Sequence, residues 1–125
     1  MIKPTDSELE ILQVLWAEGP CTVRQVNERL AERRDVGYTT TLKLMQIMHE
    51  KGLVSRKEDG RTHTYTAEVA EGDTQSLLVQ ELVDQAFRGQ AMRLVMQALG
   101  NHEASAEELD AIKALIAKME NEQEP

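Results

Sequence analysis

The sequence predicts a mainly α-helical fold carrying one small β-hairpin. Three observations carry that expectation. Apolar stripes of helical period open on capping-box signatures, a Ser or Thr followed three residues later by Glu or Gln, at Thr5–Glu8, Thr22–Gln25 and Ser105–Glu108. Glycines follow several of these stripes, where a chain leaving a helix needs conformational freedom. Between residues 53 and 66 the helical period gives way to two short runs rich in β-branched and aromatic types.

The first helix starts at the Thr5 box. Leu9, Leu12 and Trp16 follow at helical spacing, with Ile11 and Leu15 widening the stripe, and Gly19-Pro20 ends it. Thr22 opens the second helix, which turns Val23, Val26 and Leu30 to one side and fades near Arg33-Arg34-Asp35. Gly37 permits the turn into a third helix. At about 100° per residue, Thr41, Leu44, Met45 and Met48 fall on its core face. Thr39, Lys43, Gln46 and Glu50 lie opposite, flanked by Leu42 and Ile47, and are free to meet a ligand. Gly52 is the C-terminal stop. Leu53 to Lys57 and Arg61 to Thr66 form the hairpin around an Asp59-Gly60 turn.

Beyond Thr66 a helix is expected from about Thr74 to Phe87, broken at Gly89. A shorter one follows from Gln90 to Leu99, ended by Gly100. The Ser105 box opens a last helix through Leu109, Ile112, Leu115, Ile116 and Met119, with Asn121 to Pro125 expected to fray. The expected division is an N-terminal domain over residues 1–70 and a helical domain over residues 71–125. The C-terminal helices have few core partners of their own. A second copy of the chain could cover their apolar faces, C2 dimers being the commonest such assembly; alternatively they fold back on the N-terminal domain.

Three short helices, the third with a polar face, followed by a hairpin, is the order of a winged helix-turn-helix. In that arrangement the third helix fits the major groove of DNA and the hairpin reaches the flanking backbone. The net charge of −8 argues against nucleic acid until its distribution is examined. Residues 1–66 hold ten Lys/Arg and ten Asp/Glu, whereas residues 67–125 hold four against twelve. From Arg24 to Arg61 the local excess is +3. The N-terminal half is therefore the half able to approach phosphate. A near-neutral N-terminal half also fits a second class of function, a winged-helix protein-interaction adaptor whose acidic C-terminal half binds a basic partner.

Other classes find little support. A chain of 125 residues can bury a core without staples. Cys21 is the single cysteine, so no internal disulfide forms. Without an apolar signal segment, a cytoplasmic location is expected. No run approaches a membrane span, so no membrane insertion is expected. His49, His63 and His102 have no metal-ligand spacing, and neither a metal nor a cofactor is expected. Cys21 has no nucleophile motif around it, phosphate loops are absent, and Glu107, Glu108 and Asp110 read as charges complementing a helix dipole rather than as catalytic carboxylates. An enzyme is not expected. Sensing through Cys21 and the histidines is a third, poorly motivated reading.

Glu8-Leu9-Glu10-Ile11-Leu12 through Trp16, Thr22-Val23-Arg24-Gln25-Val26, Tyr38-Thr39-Thr40, and Glu50-Lys51-Gly52-Leu53-Val54 to Gly60-Arg61-Thr62-His63-Thr64-Tyr65 together resemble the penicillinase-repressor family (BlaI/MecI/CopY type). Ala86-Phe87-Arg88-Gly89 and Leu94-Val95 extend the resemblance over nearly the whole chain. The resemblance implies a cytoplasmic homodimeric repressor, with an N-terminal winged helix on a two-fold symmetric operator and C-terminal helices holding the dimer. Three departures matter. Sensor-linked members are cut at an Asn-Phe bond, and the aligned pair here is Gln97-Ala98, so cleavage there does not carry over. Copper-responsive members use a Cys-x-Cys site that this chain lacks. Many relatives carry Arg where this chain has Ile47, so their operator sequence does not transfer.

The expected double-stranded DNA contacts are Arg24, Thr39, Thr40, Lys43, Gln46, Lys57 and Arg61. Lys43 can donate to guanine O6 and N7, and Gln46 can pair with adenine N6 and N7. Thr39 and Thr40 can meet phosphate or a thymine methyl. Arg24, Lys57, Arg61 and, more weakly, Thr62 suit phosphate, contacts that set register rather than sequence preference. For all of these the alternative is a solvated surface, the reading preferred for Arg33 and Arg34. Tyr38 is expected to pack its ring under the third helix, with a hydrogen bond from its hydroxyl to a phosphate as the alternative, Trp16 to join the core, and Tyr65 to anchor the hairpin. The expected dimer contacts are Leu78, Leu82, Phe87, Leu94, Val95, Leu109, Ile112, Leu115 and Ile116.

Overall fold

The structure, a computed structural model, describes residues 2–123. Its elements run α1 (Asp6–Glu18), β1 (Cys21–Thr22), α2 (Val23–Ala31), α3 (Tyr38–Lys51), β2 (Val54–Asp59), β3 (Thr62–Ala67), α4 (Glu71–Ala86), α5 (Ala91–Gly100) and α6 (Ala106–Gln123). Mostly helical with a small antiparallel sheet, this is the fold expected, and all three capping boxes form. Thr5 and Thr22 each cap the amide three residues on while Glu8 and Gln25 reach back. Ser105 and Glu108 do the same at the start of α6, with bonds of 3.1 and 3.2 Å.

The sheet has a third strand that the sequence did not announce. The strand order is β1-β3-β2, with Cys21 opposite Tyr65 and Thr22 opposite Thr64. Two residues are too few to show a period of two, and Thr22 is also the N-cap of α2. The β2–β3 ladder runs from Val54 opposite Ala67 to Asp59 opposite Thr62. Asp59 is thus the last paired residue, and the turn is Gly60-Arg61 rather than Asp59-Gly60. Gly60 takes φ 67, the positive value that the first central position of a II′ turn demands.

The chain divides into two compact units, Met1–Val79 and Gln80–Pro125. In the first, Ile11, Leu12 and Leu15 of α1, Val23, Val26 and Leu30 of α2, Met45 and Met48 of α3, Leu53 just before β2, and Val54 and Tyr65 of the sheet form one buried cluster with Cys21. At its centre is Tyr65, fully buried, holding the hairpin to the helices. The core stripe of α1 is rotated from the expected one: Glu8, Ile11, Leu12 and Leu15 are buried, while Leu9 and Trp16 sit at its margin. Trp16 keeps a polar edge, its Nε1–H donating to the Val69 carbonyl at 2.9 Å. Gly52, with φ 84, closes α3 in a Schellman motif: its own N–H bonds the His49 carbonyl and the Leu53 N–H bonds Met48. That turn delivers the chain directly into β2.

Glu8 is a buried carboxylate, 1 % exposed. One oxygen accepts from the Thr5 N–H at 2.9 Å and the other from Lys51 Nζ at 2.8 Å. Burial pushes its pKa up, but the Lys51 hydrogen bond, the Thr5 N–H and the Lys51 charge together hold it below the ordinary carboxylate value. The pair ties the start of α1 to the end of α3.

In the second unit helices dominate. Arg88 and Gly89 both take positive φ, 53 and 76, between α4 and α5, the break expected at Gly89. The helix before it starts at Glu71, three residues earlier than expected. The last helix continues through Gln123, so Asn121–Gln123 are helical rather than frayed. Residues 124 and 125, also expected to fray, lie outside the described residues. Neither α5 nor α6 has a buried residue.

Candidate nucleic-acid interface

Three elements build one exposed face of the N-terminal unit. α3 supplies Thr39, Lys43 and Gln46, all exposed and, at about 100° per residue, falling in one narrow arc. Thr40 is exposed beside them. Met45 and Met48 hold the opposite side of the helix in the core, which fixes the helix about its axis and so fixes where the polar face points. Glu50, at the far end of that face, is also exposed.

The N-terminus of α3 is open. Gly37 as N-cap offers no side chain, and the first turn holds no acidic residue, so its leading amides have no side-chain acceptor. Helix N-termini of this kind favour anions. Thr41 returns its hydroxyl to the Gly37 carbonyl at 3.4 Å, leaving Thr39 and Thr40 to face outward.

Beside α3 lies a groove of about 580 Å³, lined by Thr22, Arg24, Tyr38, Gln46, Arg61 and His63 among others. It unites three of the predicted contacts, Arg24 from α2, Gln46 from α3 and Arg61 from the hairpin. Lys57 is not with them. It shares a separate, smaller depression with Pro20, Asp59, Thr64 and Thr66. The register explains the separation. Residues directly opposite in a ladder share a sheet face, and faces alternate along a strand. Arg56 pairs with Tyr65 and Glu58 with His63, on the groove side; Lys57 pairs with Thr64 on the reverse side. Arg56 is thus a cation on the sheet face of Tyr65 and His63, outside the groove's own lining, that the sequence reasoning passed over. Only the register, set by the position of the turn, distinguishes it from Lys57.

Charge pairing sorts the cations further. Arg29 bonds Glu18 at 2.8 Å, Arg34 bonds Glu10 at 3.0 Å and Lys51 bonds Glu8. Among the described residues Arg24, Lys43, Lys57 and Arg61 make no ion pair. Arg33 and Arg56 likewise make none, so the uncommitted cations include those on the outward face of α3 and on the hairpin, while Arg29, Arg34 and Lys51 are neutralised. Tyr38 departs from expectation: it is 48 % exposed rather than packed beneath α3, and the Arg24 guanidinium lies 5.9 Å from its ring centroid.

Cys21 is buried, and burial first, then the Glu18 charge, pushes its thiol pKa up despite Arg29. A protonated, buried thiol is a poor nucleophile and a poor ligand. Among the described residues no three His, Cys, Asp or Glu side chains converge as metal ligands. Nor, among them, is any helix long and apolar enough to cross a membrane.

The residues expected to hold a dimer fall into two groups. Leu78, Phe87, Leu94 and Ile112 are half-buried. Leu82, Val95, Leu109, Leu115 and Ile116 are 41–57 % exposed, as are Leu99 and Met119 on the same helices. On α6, residues 109, 112, 115, 116 and 119 fall within a single stripe.

Comparison with known proteins gives a consistent picture. The family model described as penicillinase repressor matches residues 4–118. The transcriptional regulator BlaI of Mycobacterium tuberculosis is 32% identical over 120 residues, covering 92% of this chain and 83% of that protein. The penicillinase repressor of Bacillus licheniformis is 21% identical over 117 residues, covering 94% and 91%. Among solved structures, the DNA-binding domain of the repressor BlaI superposes with a TM-score of 0.51 at 24% identity, covering 58% of this chain and 93% of that one. The transcriptional regulator Tm0710 from Thermotoga maritima gives 0.51 at 21% identity, covering 94% and 78%.

Proposed function

The chain belongs to the penicillinase repressor family, and from that premise we propose that it represses transcription as a cytoplasmic homodimer seated on a two-fold symmetric operator. One observation carries the reading: the core-locked α3 turns an exposed polar face, Thr39, Lys43 and Gln46, outward beside unpaired cations from α2 and the hairpin. Such a helix enters a major groove, where Lys43 reads guanine and Gln46 reads adenine. Arg24 and Arg61 grip phosphates on the groove side, and Lys57 reaches the flanking backbone from the reverse face of the hairpin. Thr39 and Thr40 contact phosphate or a thymine methyl at the open end of α3. These phosphate contacts set register; the two base readers set sequence.

The second unit supports the dimer. Leu82, Leu109, Leu115, Ile116 and Met119 leave about half of their surface to water, an arrangement that a second copy relieves. Two copies then present two α3 helices about one helical turn of DNA apart. Occupancy of a promoter excludes polymerase. The acidic surplus of residues 67–125 keeps that half away from the phosphates.

The full chain tests this in two measurements. Sedimentation equilibrium should give twice the chain mass of 14.1 kDa, and fluorescence anisotropy should show duplex DNA bound tightly at low salt and weakly as salt rises. A monomer at all concentrations would remove the dimer. Absence of DNA binding at low salt would favour the adaptor reading, in which the acidic half binds a basic protein.

A further inference from the structure

Arg24 stands in an unfavourable place. It is the second residue of α2, where the helix dipole repels a cation, and that first turn holds no acidic residue to offset it. Among the described residues it has no carboxylate partner. Its one organised contact is aromatic, the ring of Tyr38, the first residue of α3, at 5.9 Å. Tyr38 is equally out of place as a core residue, being 48 % exposed. Both side chains line the groove that also holds Gln46 and Arg61. Local conflicts of this kind, a cation at a helix start and an aromatic ring in water, are expected where function rather than stability sets the residue.

We propose that Tyr38 is a positioning residue for DNA binding: its ring face holds the Arg24 guanidinium toward a backbone phosphate, and its hydroxyl is not used. Resting on the DNA-binding reading above, the inference assigns the groove a two-part clamp. A free Arg at this point samples many rotamers, and ordering it on binding weakens the contact. A guanidinium stacked on a ring is already limited to orientations that leave its N–H edge free. The ring comes from α3 and the cation from α2, so the clamp also ties phosphate grip to the seating of the recognition helix.

The test uses the full chain, a labelled random-sequence duplex, and anisotropy across a salt series with Arg24→Ala, Tyr38→Phe, Tyr38→Leu and the Arg24→Ala/Tyr38→Leu double variant. Arg24→Ala should lower the salt slope by about 0.9, one phosphate's worth. Tyr38→Phe should match wild type in affinity and slope. Tyr38→Leu should weaken binding about two- to five-fold and add nothing once Arg24 is Ala. The Trp16 emission spectrum, unchanged across the set, certifies that each variant is folded. The inference is overturned if Tyr38→Phe weakens binding as much as Tyr38→Leu, because the hydroxyl is then the contact. Equal losses from Tyr38→Leu with and without Arg24 overturn it too. Failure of the wild-type chain to bind the duplex at low salt is a different result, and sinks the DNA-binding reading itself.

Discussion

Replacing Lys51 by Met strands the Glu8 carboxylate, and the burial of the pair sets the size and sign of the effect. The Glu8 side chain is 2% exposed and its Lys51 partner 38%. Removing one partner of a fully buried pair costs about 3–5 kcal/mol. The half-exposed lysine places this pair at the lower end, so Lys51→Met should destabilise the domain by about 3 kcal/mol at pH 7. Glu8→Gln keeps an acceptor for the Thr5 N–H and discards the charge. Adding it to Lys51→Met should therefore restore about 1–2 kcal/mol. The pH dependence is equally specific. In the wild type the folded pKa of Glu8 is depressed, so its stabilisation is fully present above the unfolded value of about 4.3 and is lost as pH falls through the folded value. Without Lys51 the carboxyl keeps the burial that raises its pKa and loses two of the influences that lower it, so its folded pKa rises above the wild-type one. That rise makes the variant's penalty largest near neutrality and smaller as the carboxyl protonates, so the gap to wild type should narrow as pH falls into the acid range. Urea denaturation followed by Trp16 emission reads this directly, since Trp16 is the single tryptophan and belongs to the same unit. The midpoint should drop by roughly 1–3 M. A double variant less stable than Lys51→Met, or a gap that does not change with pH, would show that Lys51 does not compensate a buried charge.

Three further outcomes are expected. Lys43→Ala should cost about 1–3 kcal/mol on the cognate site and relax sequence preference there; unchanged affinity and preference in anisotropy competition would remove it as a base reader. Ile116→Asp, in the exposed stripe of α6, should shift sedimentation toward monomer and weaken operator binding while leaving the Trp16 unfolding midpoint intact. Gly52→Ala should destabilise the N-terminal unit by about 1–2 kcal/mol, since φ 84 places its Cβ in the left-handed region, although no neighbouring atom lies within 4 Å to clash with it. A loss well under that range in thermal melts would show that the Schellman turn relaxes.

What the sequence disclosed and what it hid divide along physical lines. Capping boxes and glycine stops are local chemistry, and Thr5–Glu8, Thr22–Gln25, Ser105–Glu108, Gly52 and Gly89 all act as their spacing implied. The periodicity of α3 separated its buried Met45 and Met48 from its outward Lys43 and Gln46 for the same reason. Nonlocal relations stayed hidden. β1 exists only because β3 lies beside it, so two residues of sequence carry no trace of it. Glu8 looked like a cap and no more; its ion pair depends on Lys51, 43 residues away. Whether Arg56 or Lys57 shares a sheet face with Tyr65 turns on a one-residue question of register, decided by the turn at Gly60-Arg61. Tyr38 was expected beneath α3 because rings are usually buried, and no local signal pointed instead to a cation on the neighbouring helix.

The proposed repressor sets two copies of α3 in successive major grooves. Selection of fragments bound by the purified full chain from a randomised duplex library, followed by sequencing, tests it most directly. An enriched two-fold symmetric motif is expected, its half-sites about one helical turn, roughly 10 base pairs, apart. Enrichment of a single unpaired half-site would contradict the dimer, and no enrichment at low salt would contradict the reading of DNA sequence by α3.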